Sequence, residues 1–241
     1  MKIQIWSDFV CPFCYIGKRR LEKALTHFPE DGTILLEYKS YELAADASKY
    51  TGKNMHEVLA EKYNMSLAQA QEMNANVGKQ AAEEGLAYQF DTMKPTNTFD
   101  AHRLAKYAAS KGKGAEMTER LLKAYFTDSL LISDATVLGE LAEEIGLQAK
   151  EAIALLQSND FASHVRADEQ HARQIGVQGV PFFVFNDKYA VSGAQPVETF
   201  IQVIDKVRKE EQEKPMLQSF TSDAAETGYC TGDSCGVNKK Q

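Results

Sequence analysis

Trp6-Ser7-Asp8-Phe9-Val10-Cys11-Pro12-Phe13-Cys14-Tyr15-Ile16-Gly17-Lys18-Arg19 is the stretch on which the reading of this chain turns. On its N-terminal side, Ile3 to Phe9 has the texture of a short strand that stops at Cys11-Pro12. From Phe13 onward apolar residues return at helical spacing, with Phe13, Gly17, Leu21, Ala24, Leu25 and Phe28 on one face and Lys18, Arg19, Glu22 and Lys23 opposite. Pro29-Glu30-Asp31-Gly32 supplies turn chemistry, and Thr33 to Tyr38 is rich in strand formers. A strand–helix–strand unit of this length favours parallel pairing of its two strands.

The two cysteines stand where the strand hands over to the helix. An i to i+3 spacing over the first helical turn brings two sulfurs within reach of a disulfide. Unpaired N–H groups at the helix start favour a thiolate on Cys11, by about one pKa unit. Pro12 suits the first turn, where its missing N–H costs little. Phe13 adds bulk without charge, so Cys11 is expected to be less acidic than beside a histidine. Cys11 is then the attacking sulfur and Cys14 the shielded, resolving one. Two other readings stand beside this: a pair of inert core cysteines, and half of a zinc site completed by Cys230 and Cys235.

Outward from this motif, residues 54–174 are rich in Ala, Glu, Lys, Gln and Leu and read as successive helices. Breaks are expected near Gly85, at Lys94-Pro95-Thr96-Asn97, at Gly112 to Gly114, near Ser133-Asp134 and at Gly146. Ser133 or Asp134 is placed to cap one helix and Asp160 another, running from Phe161 to Gln174. Strands return at Val180-Pro181-Phe182-Phe183-Val184-Phe185. The Asn186-Asp187 turn and Tyr189-Ala190-Val191 complete a hairpin, followed by an amphipathic helix over 197–211. Proline opening an apolar strand removes a ladder donor. Below a Cys-x-x-Cys motif it is expected in the cis form, presenting the backbone of Val180 to an extended substrate.

The resulting order is βαβ, a helical stretch, then ββα. This predicts an α/β thioredoxin-like fold with a large inserted all-helical domain. Its bounds are 1–43 and 175–213 for the discontinuous thioredoxin-like domain and 44–174 for the insertion, whose last helix packs back on the sheet. A small, polar, flexible tail over 214–241 carries Cys230 and Cys235. Sixteen linker residues give that pair an r.m.s. reach of roughly 20–24 Å, enough to act as a second redox pair exchanging with Cys11 and Cys14.

Bulk properties narrow the function. The chain has 241 residues, 44 % apolar and 25 % charged, with a formal charge of -7. No Lys/Arg cluster points to nucleic acid, and no run approaches the roughly 18 apolar residues of a membrane span. Met1-Lys2-Ile3-Gln4-Ile5-Trp6 enters a strand directly, which, with Met1 as the native start, predicts a cytoplasmic protein. In a reducing compartment, four cysteines are better explained by redox or metal chemistry than by static crosslinks.

Taken together, Trp6 to Arg19, Asn97-Thr98-Phe99-Asp100-Ala101-His102-Arg103-Leu104, Gly179 to Val184 and Ser192-Gly193-Ala194-Gln195 resemble FrnE-like proteins of the DsbA family. The resemblance implies the thioredoxin fold with a helical insertion, a cis Pro181, and dithiol–disulfide exchange by Cys11 and Cys14. It also adds weight to Cys230 and Cys235 as a second pair, since FrnE-like proteins often carry one. Kappa-class glutathione transferases and related isomerases share the superfamily. They typically have serine in place of Cys11 and a Trp-Gly motif after the last strands, where this chain has Ser192-Gly193-Ala194-Gln195. The expected function is thiol–disulfide oxidoreductase or isomerase action on protein or small-molecule substrates. No bound cofactor or metal is expected, and glutathione enters only as a co-substrate. A kappa-type transferase or isomerase and a zinc-binding or redox-sensing module are the alternatives. Asp8 is expected to stabilise a turn and His102 to pack or face solvent.

Overall fold

The computed structural model describes residues 1–28, 34–212, 227–231 and 234–238. The turn expected at Pro29 to Gly32 and the strand start at Thr33 lie outside these residues. Met1–Arg208 form one compact unit and Lys209–Gln241 another.

In the first unit, β1 (Lys2–Ser7), α1 (Pro12–Leu25) and β2 (Leu35–Ser40) form the expected strand–helix–strand unit, with β1 and β2 parallel from Lys2↔Leu35 to Ser7↔Ser40. Seven helices follow: α2 (Met55–Lys62), α3 (Leu67–Glu83), α4 (Phe99–Ser110), α5 (Gly114–Phe126), α6 (Ala135–Glu144), α7 (Ala149–Gln157) and α8 (Ala162–Gln174). The chain then returns through β3 (Phe182–Phe185) and β4 (Tyr189–Ser192) to α9 (Val197–Gln212). β3 lies antiparallel to β1, giving the strand order β2-β1-β3-β4.

The period-2 alternation of β1 sorts its side chains to two faces. Ile3 and Ile5 join Phe183, Phe185 and Val191 under Leu21 and Ala24 of α1 and Phe200, Ile204 and Val207 of α9. Trp6 points the other way, against Ala172 of α8 and Val177. Its indole N–H donates to the carbonyl of Asp168 at 3.0 Å, so the last helix before β3 lies on the back of the sheet. A second, larger core joins the helices α3 to α7 and takes in Phe9, Tyr15 and Ile16 from the beginning of the chain.

Local signals account for most boundaries. Asp134 accepts from the amides of Thr136 and Val137, and Asn54 and Ser66 each close a capping box with the residue three positions on. Asn186 and Asp187 both adopt positive φ, as a two-residue hairpin turn requires. Three expectations are corrected. A further break separates α2 from α3 at Tyr63 to Met65. Asp160 is not a cap: Phe161, with φ +59, precedes α8 and no side chain caps it. Phe13 is 39 % exposed rather than part of the buried face of α1, while Lys18, placed on the polar face, is 5 % exposed.

The second unit contains β5 (Thr227–Thr231) and β6 (Ser234–Asn238), paired antiparallel with Cys230 directly opposite Cys235. The remainder of the stretch read as a flexible tail lies outside the described residues.

Candidate active site

Cys11 is the N-cap of α1 in an extended conformation, and Pro12 occupies the first helical position, where no intrahelical donor is needed. The Cys14 amide donates to the Cys11 carbonyl at 3.0 Å, closing the first turn, and the Cys11 amide donates to Asp8 at 3.2 Å. Both cysteines are free thiols, 5 % and 3 % exposed. Phe13, between them, projects outward beside the site.

The second wall comes from the far end of the chain. The Val180–Pro181 peptide is cis, and the Cys11 thiol donates to the Val180 carbonyl at 3.5 Å. Hydrogen bonding holds this loop in place: the Gly193 amide donates to the Pro181 carbonyl at 2.8 Å, and Arg20 of α1 donates to Ala194 at 2.6 Å. Arg20 also pairs with Glu84, just past α3, at 2.7 Å. Gly17 is what lets α1 approach so closely. A Cβ there would lie 3.1 Å from Pro181 Cγ and 3.2 Å from Phe183 Cζ. The sequence thus brings Cys11, Pro12, Cys14, Val180 and Pro181 to one place.

A third wall was not foreseen. The Tyr88 hydroxyl donates to the Pro12 carbonyl at 2.7 Å, and its ring stacks on Phe126 at 4.4 Å and faces Tyr15 at 6.3 Å. Burial, and then the neighbouring Cys11, push the Tyr88 phenol well up. Below it, Glu119 of α5 accepts from Tyr15 at 2.6 Å and pairs with Lys18 and Arg19. Burial opposes ionisation of this carboxyl, but hydrogen bonds from Arg19, Lys18 and Tyr15 outweigh it and bring its pKa down to about 2. The only local hint of Tyr88 is its place in Leu86-Ala87-Tyr88-Gln89-Phe90, an aromatic run straight after a helix stop.

Burial first, and then the adjacent Cys11 thiol, raise the Cys14 pKa well above its ordinary value, against the Ser7 hydroxyl and the Asp8 amide, which pull it down. The Asp8 carboxylate is itself buried: it accepts from the Leu43 amide at 2.8 Å and lies 3.4 Å from His102 Nε2. His102 packs against the Phe9 ring at 4.6 Å. Asp8 therefore braces the loop after β2 as well as the turn before Cys11, and His102 is a packed, buried residue. Cys230 and Cys235 face one another in register in the second unit, and their side chains lie outside the described residues.

The geometry can support nucleophilic sulfur chemistry at Cys11 with a second sulfur one helical turn behind. Residues 2–205 match the DSBA-like thioredoxin domain. A probable DsbA oxidoreductase from Streptomyces coelicolor, SCO1869, is 38 % identical, with 99 % of this chain and 100 % of that one covered at a TM-score of 0.84. Two more distant structures share the fold. A 2-hydroxychromene-2-carboxylate isomerase is 15 % identical, covering 90 % and 100 % at a TM-score of 0.68. The cytosolic disulfide reductase DsbM from Pseudomonas aeruginosa, solved with GSH, is 16 % identical, covering 86 % and 100 % at 0.61. By its match over nearly the whole first unit and its likeness to SCO1869, this chain belongs to the DSBA-like thioredoxin domain family.

Proposed function

We propose that the protein is a dithiol–disulfide oxidoreductase working through Cys11 and Cys14. The carrying observation is the Cys11 sulfur, 3.5 Å from the Val180 carbonyl at the start of α1, with Cys14 buried behind it. The Cys11 thiolate attacks a substrate disulfide, and one substrate sulfur leaves as a thiolate. Cys14 then attacks the Cys11 sulfur of the mixed disulfide. The second substrate thiolate departs, leaving the substrate reduced and a Cys11–Cys14 disulfide. The same steps in reverse oxidise a dithiol, and an incomplete cycle shuffles disulfides. An extended substrate segment lies along the Val180 backbone, the manner of strand addition.

Substrates are thiol- or disulfide-bearing proteins or small molecules, with glutathione as a co-substrate. Likeness to a cytosolic disulfide reductase supports both the chemistry and a cytoplasmic setting. Cys230 and Cys235, opposite one another across β5 and β6, are a second redox pair in this reading.

The test is equilibration in graded glutathione buffers, followed by thiol trapping and peptide mass spectrometry. A reversible Cys11–Cys14 disulfide is expected, with a potential between about -270 and -120 mV, the span from thioredoxin to DsbA. Cys14→Ser should accumulate glutathione on Cys11. Failure of Cys11 and Cys14 ever to pair overturns the reading. Glutathione conjugation or isomerisation surviving in Cys14→Ser moves the protein to the transferase and isomerase class. A Cys230–Cys235 couple titrating independently supports the second pair.

A further inference from the structure

Among the described residues, the Val180–Pro181 loop meets the Cys11 motif through one hydrogen bond, from the Cys11 thiol to the Val180 carbonyl at 3.5 Å. That bond cannot last through a reaction. A Cys11 thiolate, or a Cys11 joined to a substrate sulfur, has no proton to donate, so the Val180 carbonyl is freed just as substrate arrives. Besides the packing of Pro181 on α1 at Gly17, what then keeps the loop in place is a route that avoids sulfur. β3 and β4 pair as far as Phe182↔Ser192, and one rung beyond, the Gly193 amide donates to the Pro181 carbonyl at 2.8 Å. Gly193 turns the chain with φ +79, and Ala194, which follows it, presents its carbonyl to Arg20 Nη1 at 2.6 Å. Arg20 Nε donates to Glu84 Oε1 at 2.7 Å, and both side chains are largely buried, at 16 % and 9 % exposed.

We propose that Arg20 is a positioning residue for polypeptide substrates, its guanidinium tying the cis-proline loop to α1 by way of Ala194 and Gly193, and to the helical stretch by way of Glu84. This rests on the dithiol–disulfide reading above and names the substrate class of that same site. Arginine suits the task because Nε and Nη1 lie in one rigid plane and serve two partners at a fixed angle, whereas an ammonium is a point charge on a flexible stem. The Val180 carbonyl released by Cys11 is then an acceptor of fixed position. It is available to a backbone N–H of an extended chain beside the disulfide under attack. A small disulfide without a peptide backbone has nothing to pair with it. Arg20 stands six residues after Cys14 on α1, roughly 9 Å along the helix, so it acts on the seating of the substrate chain and not on the exchange itself.

The test compares two disulfides with the same leaving group: 5,5′-dithiobis(2-nitrobenzoate), and a peptide of about ten residues whose single central cysteine is joined to thionitrobenzoate. Each is mixed over a range of concentrations with the reduced full chain in a stopped-flow instrument. Parent and variants carry Cys230→Ser and Cys235→Ser, so that only Cys11 and Cys14 respond. The first phase of thionitrobenzoate release gives a limiting rate and a half-saturating concentration. Arg20→Met should raise the half-saturating peptide concentration about tenfold, the worth of one hydrogen bond in binding, and leave the limiting rate within about twofold. Its rate with the small disulfide, and its Cys11–Cys14 equilibrium with glutathione, should also stay within about twofold. Glu84→Gln leaves α1 untouched and weakens the hold on Arg20 from one side, so a rise of about threefold is expected for the peptide alone. Lys23→Met removes the other cation at Glu84 and should alter neither substrate. Unchanged peptide saturation in Arg20→Met overturns the proposal, as does an equal loss with both disulfides or an effect of Lys23→Met as large as that of Arg20→Met. Release of only one thionitrobenzoate per parent chain from the small disulfide is a different result: it defeats the dithiol reading, and the proposal with it.

Discussion

The two hydrophobic cores that meet along α1 hold that helix by different means. Towards its C-terminal end, Leu21 and Ala24 are packed in an apolar layer with Ile3, Ile5, Phe183 and Phe200, beneath the sheet. At its N-terminal end, Tyr15 and Ile16 belong to the helical core, and the contacts there are aromatic and hydrogen-bonded: Tyr88 to Pro12, Tyr15 to Glu119. The shaft of α1 is thus set by the sheet, and its N-terminal tip, which carries Cys11 and Cys14, by residues that lie between β2 and β3 in sequence. In the function proposed above, the helical stretch is therefore part of the active site, able to tune the cysteines without disturbing the strands beneath them.

The sharpest way to break this comparison is to empty each core in turn. Phe126→Ala and Phe200→Ala remove fully buried rings, and each should cost about 3–5 kcal/mol in urea unfolding. Only Phe126→Ala should also change the alkylation rate of Cys11, because only Phe126 supports Tyr88 and Tyr15. Equal effects on Cys11 from both variants would dissolve the distinction. Gly17→Ala tests the junction itself. Alanine ordinarily favours a helix by about 1 kcal/mol. Here the added methyl meets Pro181 and Phe183, and a net loss of about 1–3 kcal/mol is expected in thermal melts, with slower turnover.

Glu119→Gln should cost about 1–2 kcal/mol near neutrality, the lower part of the range for hydrogen bonds to charged groups, since its side chain is partly exposed. Because its folded pKa lies at about 2, below the unfolded 4.5, its contribution is present above the unfolded value and is lost as pH falls towards 2. Parent and variant unfolding curves should therefore converge over that interval. Convergence on raising the pH instead would contradict the assignment. The smallest effect belongs to Tyr88→Phe. One hydrogen bond, worth about 1 kcal/mol, is lost, and a shift in Cys11 reactivity at nearly unchanged secondary structure by circular dichroism is the expected signature.

What the sequence made legible was local. The strand-to-helix position of Cys11 and Cys14, the parallel βαβ unit, the hairpin at Asn186-Asp187 and the cap at Asp134 each depend on residues a few positions apart. The errors have a common physical origin in partners distant along the chain. Lys18 looks solvent-facing until Glu119, 101 residues away, meets its ammonium. Tyr88 and Pro12 are 76 residues apart, and no periodicity marks such a pair. Phe13 fits the apolar spacing of α1, but the first turn lies beyond the sheet that covers Leu21 and Ala24.

Trp6 is the single tryptophan of the chain, buried one residue before Ser7 and edge-on to His171 at 5.2 Å. All indole fluorescence therefore originates at one point, where β1 meets α8, five residues before Cys11. No label is needed to follow the molecule: emission can register both the loosening of α8 from the sheet and the closing of the dithiol, from the same chromophore and in the same cuvette.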